Sequence, residues 1–408
     1  MDLLVKFPLN TIVASPKLVA SKSESNRALI INFLSGRRSK IENLSLSNDT
    51  RILDLALKSI EDKASIIDVA DCGTAFRFLT ALLSITPGEW ILSGSERMRL
   101  RPVGIMVDAL KQLGATIHYI GEVGFPPLKI VGHPLTGNRV SINTEQSSQF
   151  VSGLLLIAPT LAQGLILDYS GIMVSKPYID MTIRMMTESG ISIEEQDGGV
   201  TVLSGEYQTH RMIINGDWSS ASYWYCIAAM AEECDLFLSG LKADGLQGDE
   251  RACEMFAELG VKTEIREDGI RLTKQKIHEK EFVFHCAAYP DLVPALAVTL
   301  AANNLKGAIT GIGNLKIKES DRISVITEQL NALGFCASHT QDEIHISKSD
   351  LKALNNVLVQ TYNDHRIAMA FATLATRFGQ IRIENGEVVA KSYPGFWGDL
   401  EQAGFVLE

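Results

Sequence analysis

Four stretches of the chain share one pattern of apolar and polar positions. In VDALKQLGATIHYI, MMTESGISIEEQDGGVTVLSG, MFAELGVKTEIREDGIRLTK and EQLNALGFCASHTQDEIHISK, apolar residues first recur at helical spacing. A glycine then intervenes and the spacing switches to strand-like alternation. Each stretch predicts a helix stopped by Gly114, Gly190, Gly260 or Gly334, then two short strands about a tight turn. Glycine supplies the left-handed C-cap, and DGG or EDG supplies the turn. LEQAGFVLE reads as a shortened copy closing on Gly404, and a degraded first copy around LDLALKSI would complete six. A helix with one apolar side and a sheet with one apolar face cannot be buried alone, so such units must pack together. Six of them exceed one comfortable core and predict two domains of three units. Near the midpoint, HRMIINGDWSSAS reads as a strand followed by a capped helix start, the best candidate for a boundary.

A second pattern sits at predicted helix starts. In SNRALIINFL, SNDTRILDLAL, CGTAFRFLTALL, KESDRISVITEQL and YNDHRIAMAFATLA, a Ser, Asp, Asn or Gly opens an apolar-periodic run. Arg27, Arg51, Arg77, Arg322 and Arg366 then fall in or near the first turn. That end of a helix carries partial positive charge and exposed N–H groups, and it disfavours a cation by about 0.3–1 kcal/mol. A bound anion reverses the sign, because arginine and helix end then grip the same ligand. Arg251 in GDERACEMF has the same placement with acidic neighbours, so a single arginine of this kind proves little. The group predicts a pocket for phosphate or carboxylate.

Composition narrows the partners. The 408 residues carry a net charge of -10, so long-range electrostatics disfavours nucleic acid and anionic membranes. An anion site must then be a local concentration of Lys and Arg. The six cysteines form no C-x-x-C and no ligand-spaced cluster with histidine, which predicts buried free thiols in a reducing compartment. MDLLVKFPLN lacks a signal-peptide pattern, and no apolar run is long enough for a membrane span. A cytoplasmic protein is expected.

Several segments combine anion-binding groups with acid–base groups. SKSESNRALII gathers Lys22, Ser23, Ser25 and Arg27 at a helix start, where two cations and two hydroxyls suit a phosphorylated ligand. QSSQF and SKPYIDMTI are further polar helix starts, for which capping is the more economical explanation. NLKIKESDRI packs Asn314, Lys316, Lys318, Glu319, Asp321 and Arg322 together. Glu319 there is either an ion-pair partner or a proton carrier tuned by its cationic neighbours. Asp291 in YPDLVPALAVTLAA is equally readable as an N-cap and as a catalytic group. NDHRIAMA offers Asp364 as a cap with His365 and Arg366 beside it. There is no G-x-x-x-x-G-K-[ST], GIGNLK fails the dinucleotide fingerprint, and neither G-x-S-x-G nor H-E-x-x-H occurs. What remains is a small phosphorylated metabolite.

SKSESNRAL, DCGTAFR, RLRPVG, SSQF, SKPYID, GDWSSAS, KESDR and YNDHRIAMA occur in this order over nearly the whole chain. In that register the chain closely resembles the 5-enolpyruvylshikimate-3-phosphate synthases. The resemblance implies an α/β fold of two domains, each of three βαβαββ units. It places one domain at 18–214 and the other at 1–17 with 215–408, the chain crossing twice. It implies transfer of the enolpyruvyl group of phosphoenolpyruvate to the 5-hydroxyl of shikimate 3-phosphate, with no metal or organic cofactor, by a monomer. It also implies site residues. Ser23, Arg27, Ser147, Ser148, Gln149, Ser175, Tyr178, Asn314 and Lys318 would hold shikimate 3-phosphate, with Lys22 and Asp291 beside it. Lys22, Gly73, Arg101, Gln149, Arg322, Arg366 and Lys391 would hold phosphoenolpyruvate. Asp291 would take the hydroxyl proton, and Glu319, Lys22 and Lys391 would handle the methylene proton and the departing phosphate. Arg51 and Arg251 have no place in this assignment. The chain departs from the usual pattern at Val19 and Ala20, where Pro-Gly ordinarily precedes SKS. It departs again at Cys72, at Phe78 where many members have Pro, and at Trp218; none of these changes removes a charged site residue. Two rivals remain in view: an enolpyruvyl transferase acting on UDP-N-acetylglucosamine, and a catalytically silent metabolite-binding repeat protein.

Overall fold

A computed structural model describes residues 2–278, 280–349 and 351–408. The chain divides into two compact units, Lys22–Ile214 and the stretch up to Ser21 together with Asn215–Glu408. Residues 18–21, expected with the middle unit, belong to the other. Leu18 donates its N–H to Ser239 O at 3.2 Å and Ser21 donates to Asn215 O at 2.8 Å, so backbone pairing ties this segment to the strands after the boundary.

In the unit Lys22–Ile214, one sheet runs Ile193–Gln196, Gly199–Val202, Leu165–Ser170, Arg139–Asn143. A second runs Ile66–Asp68, Gly88–Ser93, Leu128–Gly132, Thr116–Tyr119. The third is the two-stranded parallel pair Arg211–Ile213 and Lys40–Glu42. The other unit has three four-stranded sheets. They are built around the hairpins Val261–Arg266/Gly269–Lys274 and Cys336–His339/Glu343–Ser347, and around Leu3–Lys6 set between Gln380–Ile383 and Val406–Leu407. Mixed α/β units with several small sheets are what the six-fold repeat predicted. The first copy is the exception: the helix Asn48–Glu61 leads into Ile66–Asp68, an edge strand of the next sheet, and no hairpin follows it.

The repeat pattern has a direct physical cause. All five stop glycines sit at positive φ, from 86° at Gly190 to 104° at Gly334, a region costly for any residue with a Cβ. The helices at the centre of each unit are apolar on nearly every side. Ser148–Ile157 and Gly73–Ile85 lie buried in one unit, and Trp218–Met230, Val293–Ala302 and His365–Ala372 in the other. A helix apolar all round can only be a core helix. Its N-terminus therefore emerges from the core at a fixed place, which positions whatever polar group stands there. Four cysteines are buried and Cys253 is half-buried; Cys336 is exposed, contrary to the expectation for all six. Among the described residues no helix is long and apolar enough to cross a membrane.

Gly132 closes the strand Leu128–Gly132 directly over the end of the helix Gly73–Ile85. A methyl group there would overlap the carbonyls of Thr86 and Leu83, which are backbone and cannot swing away. Gly132→Ala is expected to cost about 3 kcal/mol of stability, within the range for overpacking. Equilibrium urea unfolding with an unchanged midpoint would contradict it.

Candidate active site

The helix starts that carry the candidate residues form one connected cluster in each unit. In the unit Lys22–Ile214, the helix Lys22–Leu34 begins at Lys22 itself, so Arg27 falls in its second turn, deeper than the sequence suggested. Lys22 Nζ pairs with the buried Asp49 Oδ2 at 2.9 Å. The Asp49 carbonyl also accepts from Cys72 Sγ at 3.5 Å, and Cys72 in turn caps the helix Gly73–Ile85 by accepting from Ala75 N at 3.3 Å. Lys22 and Gly73, 51 positions apart in sequence, are thus coupled through Asp49. A Cβ on Gly73 would lie 2.5 Å from Arg101 Nη1 and 2.8 Å from its Cζ, so glycine is what lets the Arg101 guanidinium lie flat on the helix start.

The same unit brings together the remaining polar helix starts. Ser147 caps Ser148–Ile157, accepting from Gln149 N at 3.3 Å. The Gln149 side chain accepts from Arg77 Nη1 at 2.6 Å and donates to Thr74 Oγ1 at 3.0 Å, which fixes its amide orientation. Arg77 also stacks on Phe150, its Cζ 5.4 Å from the ring centroid. Ser175 precedes the helix Lys176–Glu188 with φ 54° and makes no side-chain cap bond, so the capping explanation fails for it. A buried non-glycine residue held in the left-handed region is a strained position of the kind found at ligand sites. Tyr178 is half-buried, and its carbonyl accepts from Arg27 Nη2 at 2.8 Å. Burial pushes the Arg27 guanidinium down to about 10, against the opposing effects of Tyr178 and Glu24.

The other unit gathers Asp291, Glu319, Arg322 and Arg366. Asp291 lies in the 3₁₀ turn Pro290–Leu292, and the N-cap positions of that turn and of the helix Val293–Ala302 are Tyr289 and Leu292. Its Oδ2 accepts from Arg366 Nη2 at 2.5 Å and its Oδ1 from Arg322 Nη1 at 3.3 Å. Glu319 Oε2 accepts from Arg322 Nη2 at 2.8 Å. Asp364, fully buried, accepts from Arg322 Nε at 2.7 Å and Nη2 at 3.2 Å, and from the backbone N–H of Arg366 at 3.0 Å as the cap of His365–Ala372. Burial alone would depress the Arg322 guanidinium, but Asp364, Glu319 and Asp291 together outweigh it and raise it. The 3₁₀ segment Gly313–Ile317 contains the buried Asn314, whose amide N and O have no protein partner, and Lys318 follows it. Lys391, also buried, closes the 3₁₀ segment Gly386–Lys391 against which His365–Ala372 packs.

Arg51 is exposed, and Arg251 pairs with Glu254 at 2.5 Å on the surface; for these two the bland reading of a first-turn arginine holds. Sequence reasoning missed Asp49, Asp249 and Thr182, and saw Asp364 only as a cap. Thr182 carried a usable signal: four positions after Tyr178, it faces the same side of the helix. Asp49 and Asp249 carried none, since their partners come from other elements.

Asp249 is buried in the 3₁₀ turn Gly248–Arg251. It accepts from Ser219 Oγ at 2.5 Å, and burial, then the charge of Asp291, push its carboxyl up to about 7. A carboxyl raised on folding binds more protons folded than unfolded between roughly pH 4 and 7, so stability falls as pH rises through that window. Asp249→Asn should remove this slope, gaining stability relative to the parent at pH 8 compared with pH 5. Parallel pH profiles of thermal unfolding for the two proteins would refute the assignment.

Comparisons with known proteins bear on the family and the fold. The sequence profile of the EPSP synthase family (3-phosphoshikimate 1-carboxyvinyltransferase) matches residues 8–400. A 3-phosphoshikimate 1-carboxyvinyltransferase of Bacteroides fragilis is 42% identical over 399 residues, covering 97% of each chain. One from Colwellia psychrerythraea is 32% identical over 428 residues, covering 98% of this chain and 99% of its own. Among solved structures, an EPSP synthase from Acinetobacter baumannii superposes over 100% of both chains with TM-score 0.78 at 21% identity. The enolpyruvyl transferase NikO from Streptomyces tendae superposes over 100% of this chain and 98% of its own with TM-score 0.75 at 16% identity; at such identities these two bear on the fold alone. With the matched profile spanning all but the two ends, the chain belongs to the EPSP synthase family.

Proposed function

We propose that the chain transfers the enolpyruvyl group of phosphoenolpyruvate to the 5-hydroxyl of shikimate 3-phosphate, releasing phosphate, by addition to a tetrahedral ketal phosphate and elimination from it. The observation that carries this reading is the cluster in which two carboxylates, Asp291 and Glu319, are held by two arginines, Arg322 and Arg366. The phosphate and carboxylate of phosphoenolpyruvate compete for those guanidiniums. Once the arginines are shared with the ligand, Asp291 and Glu319 lose part of the positive charge that suppresses their basicity. Binding of the donor thereby readies the bases that the addition step needs.

On this reading Lys22, Ser23, Arg27, Ser147, Ser148, Gln149, Ser175, Tyr178, Asp291, Asn314 and Lys318 hold shikimate 3-phosphate. Asp291 removes the hydroxyl proton. Lys22, Gly73, Arg101, Gln149, Arg322, Arg366 and Lys391 hold phosphoenolpyruvate. Glu319, Lys22 and Lys391 carry the methylene proton and steady the departing phosphate. The lysines suit that task because each is at least half-shielded from water and close to a helix or 3₁₀ terminus. The enzyme is a monomer of the cytoplasm and uses no metal or organic cofactor. A UDP-N-acetylglucosamine acceptor is disfavoured because the enzyme acting on it lacks the Ser23/Arg27 and Ser147–Gln149 pattern, which is present here.

Phosphate release should require both phosphoenolpyruvate and shikimate 3-phosphate, and UDP-N-acetylglucosamine should not replace the latter. Lys22→Met and Glu319→Gln should each lower kcat by about 10²–10⁴-fold, the usual range for a lost acid–base group. Near-normal turnover in either variant would remove that residue from the chemistry.

Gly73→Ala pushes a methyl group into the Arg101 guanidinium, so it should raise KM for phosphoenolpyruvate by about 10-fold or more while sparing KM for shikimate 3-phosphate. Glyphosate should inhibit the parent in competition with phosphoenolpyruvate and lose potency against this variant. Equal potency against both proteins would show that the space beside Gly73 is not where the donor sits.

A further inference from the structure

Arg27 is held in an unusual way for a buried cation. Its Nε donates to Thr182 Oγ1 at 2.7 Å, Nη1 to Ser23 O at 2.9 Å, and Nη2 to Tyr178 O at 2.8 Å and Ser152 Oγ at 3.3 Å. Its Cζ lies 5.6 Å from the centroid of the Phe78 ring. No carboxylate of the described residues lies within 4.0 Å of it, although only 2% of the residue is exposed. Thr182 and Ser152 are themselves fully buried, and Thr182 Oγ1 in turn lies 2.9 Å from both Ser152 Oγ and Tyr178 O.

The chemistry of that shell is specific. Hydroxyls, carbonyls and an aromatic face satisfy four of the five N–H groups and fix the guanidinium plane, yet none cancels its charge. A carboxylate in the same place would hold the group as well, but it would neutralise the field that attracts an anion. The other unit makes the opposite choice at Arg322, which carries three carboxylate partners.

We propose that Thr182, with Ser152 and Phe78, positions Arg27 in a neutral cradle that keeps its full positive charge for the phosphorylated acceptor. The inference rests on the reading of Arg27 as a shikimate 3-phosphate-binding residue. Thr182 is a positioning residue: it acts through Arg27 and touches no reacting atom.

The test is a set of variants at Thr182, with shikimate 3-phosphate binding followed by intrinsic fluorescence in the absence of phosphoenolpyruvate and with steady-state kinetics alongside. Thr182→Val keeps the volume but removes the acceptor for Arg27 Nε. It should raise Kd and KM for shikimate 3-phosphate about tenfold with kcat within about twofold, and Thr182→Ser should restore both. Thr182→Asn and Thr182→Asp have the same size and differ in charge. The aspartate should weaken binding by a further factor of about 100 relative to the asparagine, because it pairs with the guanidinium. Equal affinities for the asparagine and aspartate variants would overturn the proposal, as would a Thr182→Val enzyme with unchanged Kd. If the aspartate variant does not fold, the valine and serine pair decides alone. Arg27→Ala separates the two readings: unchanged binding in that variant removes Arg27 from the acceptor site, whereas weakened binding there with indifferent Thr182 variants removes only the cradle.

Discussion

A guanidinium taken out of water must be matched by other groups, and the way this fold matches its buried arginines governs the rest of the candidate site. Leaving a charge buried and unsatisfied is costly, and so is pairing it with a carboxylate unless the geometry is good. Arg322 meets the requirement with Asp364, Glu319 and Asp291, at 2.7–3.3 Å. Arg27 meets it with hydroxyls, carbonyls and the Phe78 ring. The first solution balances the guanidinium with nearby negative charge. The second leaves positive charge standing. On the proposed function, the first is a donor-activating cluster and the second an acceptor-attracting one.

Core helices make both arrangements possible. Because Gly73–Ile85, Ser148–Ile157 and His365–Ala372 are buried on nearly all sides, their first turns are rigidly placed, and caps fix the chain at the start of each. Asp364 shows the economy of this design. One carboxylate caps the helix bearing Arg366 and also holds two nitrogens of Arg322. Cys72 does something comparable in the other unit, capping one helix while bonding the carbonyl of the residue that pairs with Lys22.

The repeat was legible because it depends on local physics. Stop glycines at positive φ, hairpin turns and the switch from helical to alternating spacing are properties of a few consecutive residues, and they appear where the pattern put them. The arginines at helix starts were legible for the same reason, although Arg51 and Arg251, which face solvent, could not be told from the others by pattern. Asp291, equally readable in sequence as a cap and as a catalytic group, holds neither cap position, since a 3₁₀ turn precedes Val293–Ala302, and its carboxylate meets Arg366 and Arg322.

The sequence by itself determined the repeated helix, stop glycine and hairpin of the later copies and, through eight motifs in register, membership of the EPSP synthase family. All of these are carried by short-range constraints or by strings of neighbouring residues. Only the tertiary structure decided which charges meet. Thr182 reaches Arg27 across 155 positions, Asp364 reaches Arg322 across 42, and Asp291 reaches Arg366 across 75. Electrostatic interaction depends on distance in space and on the depth of burial, neither of which a linear pattern encodes.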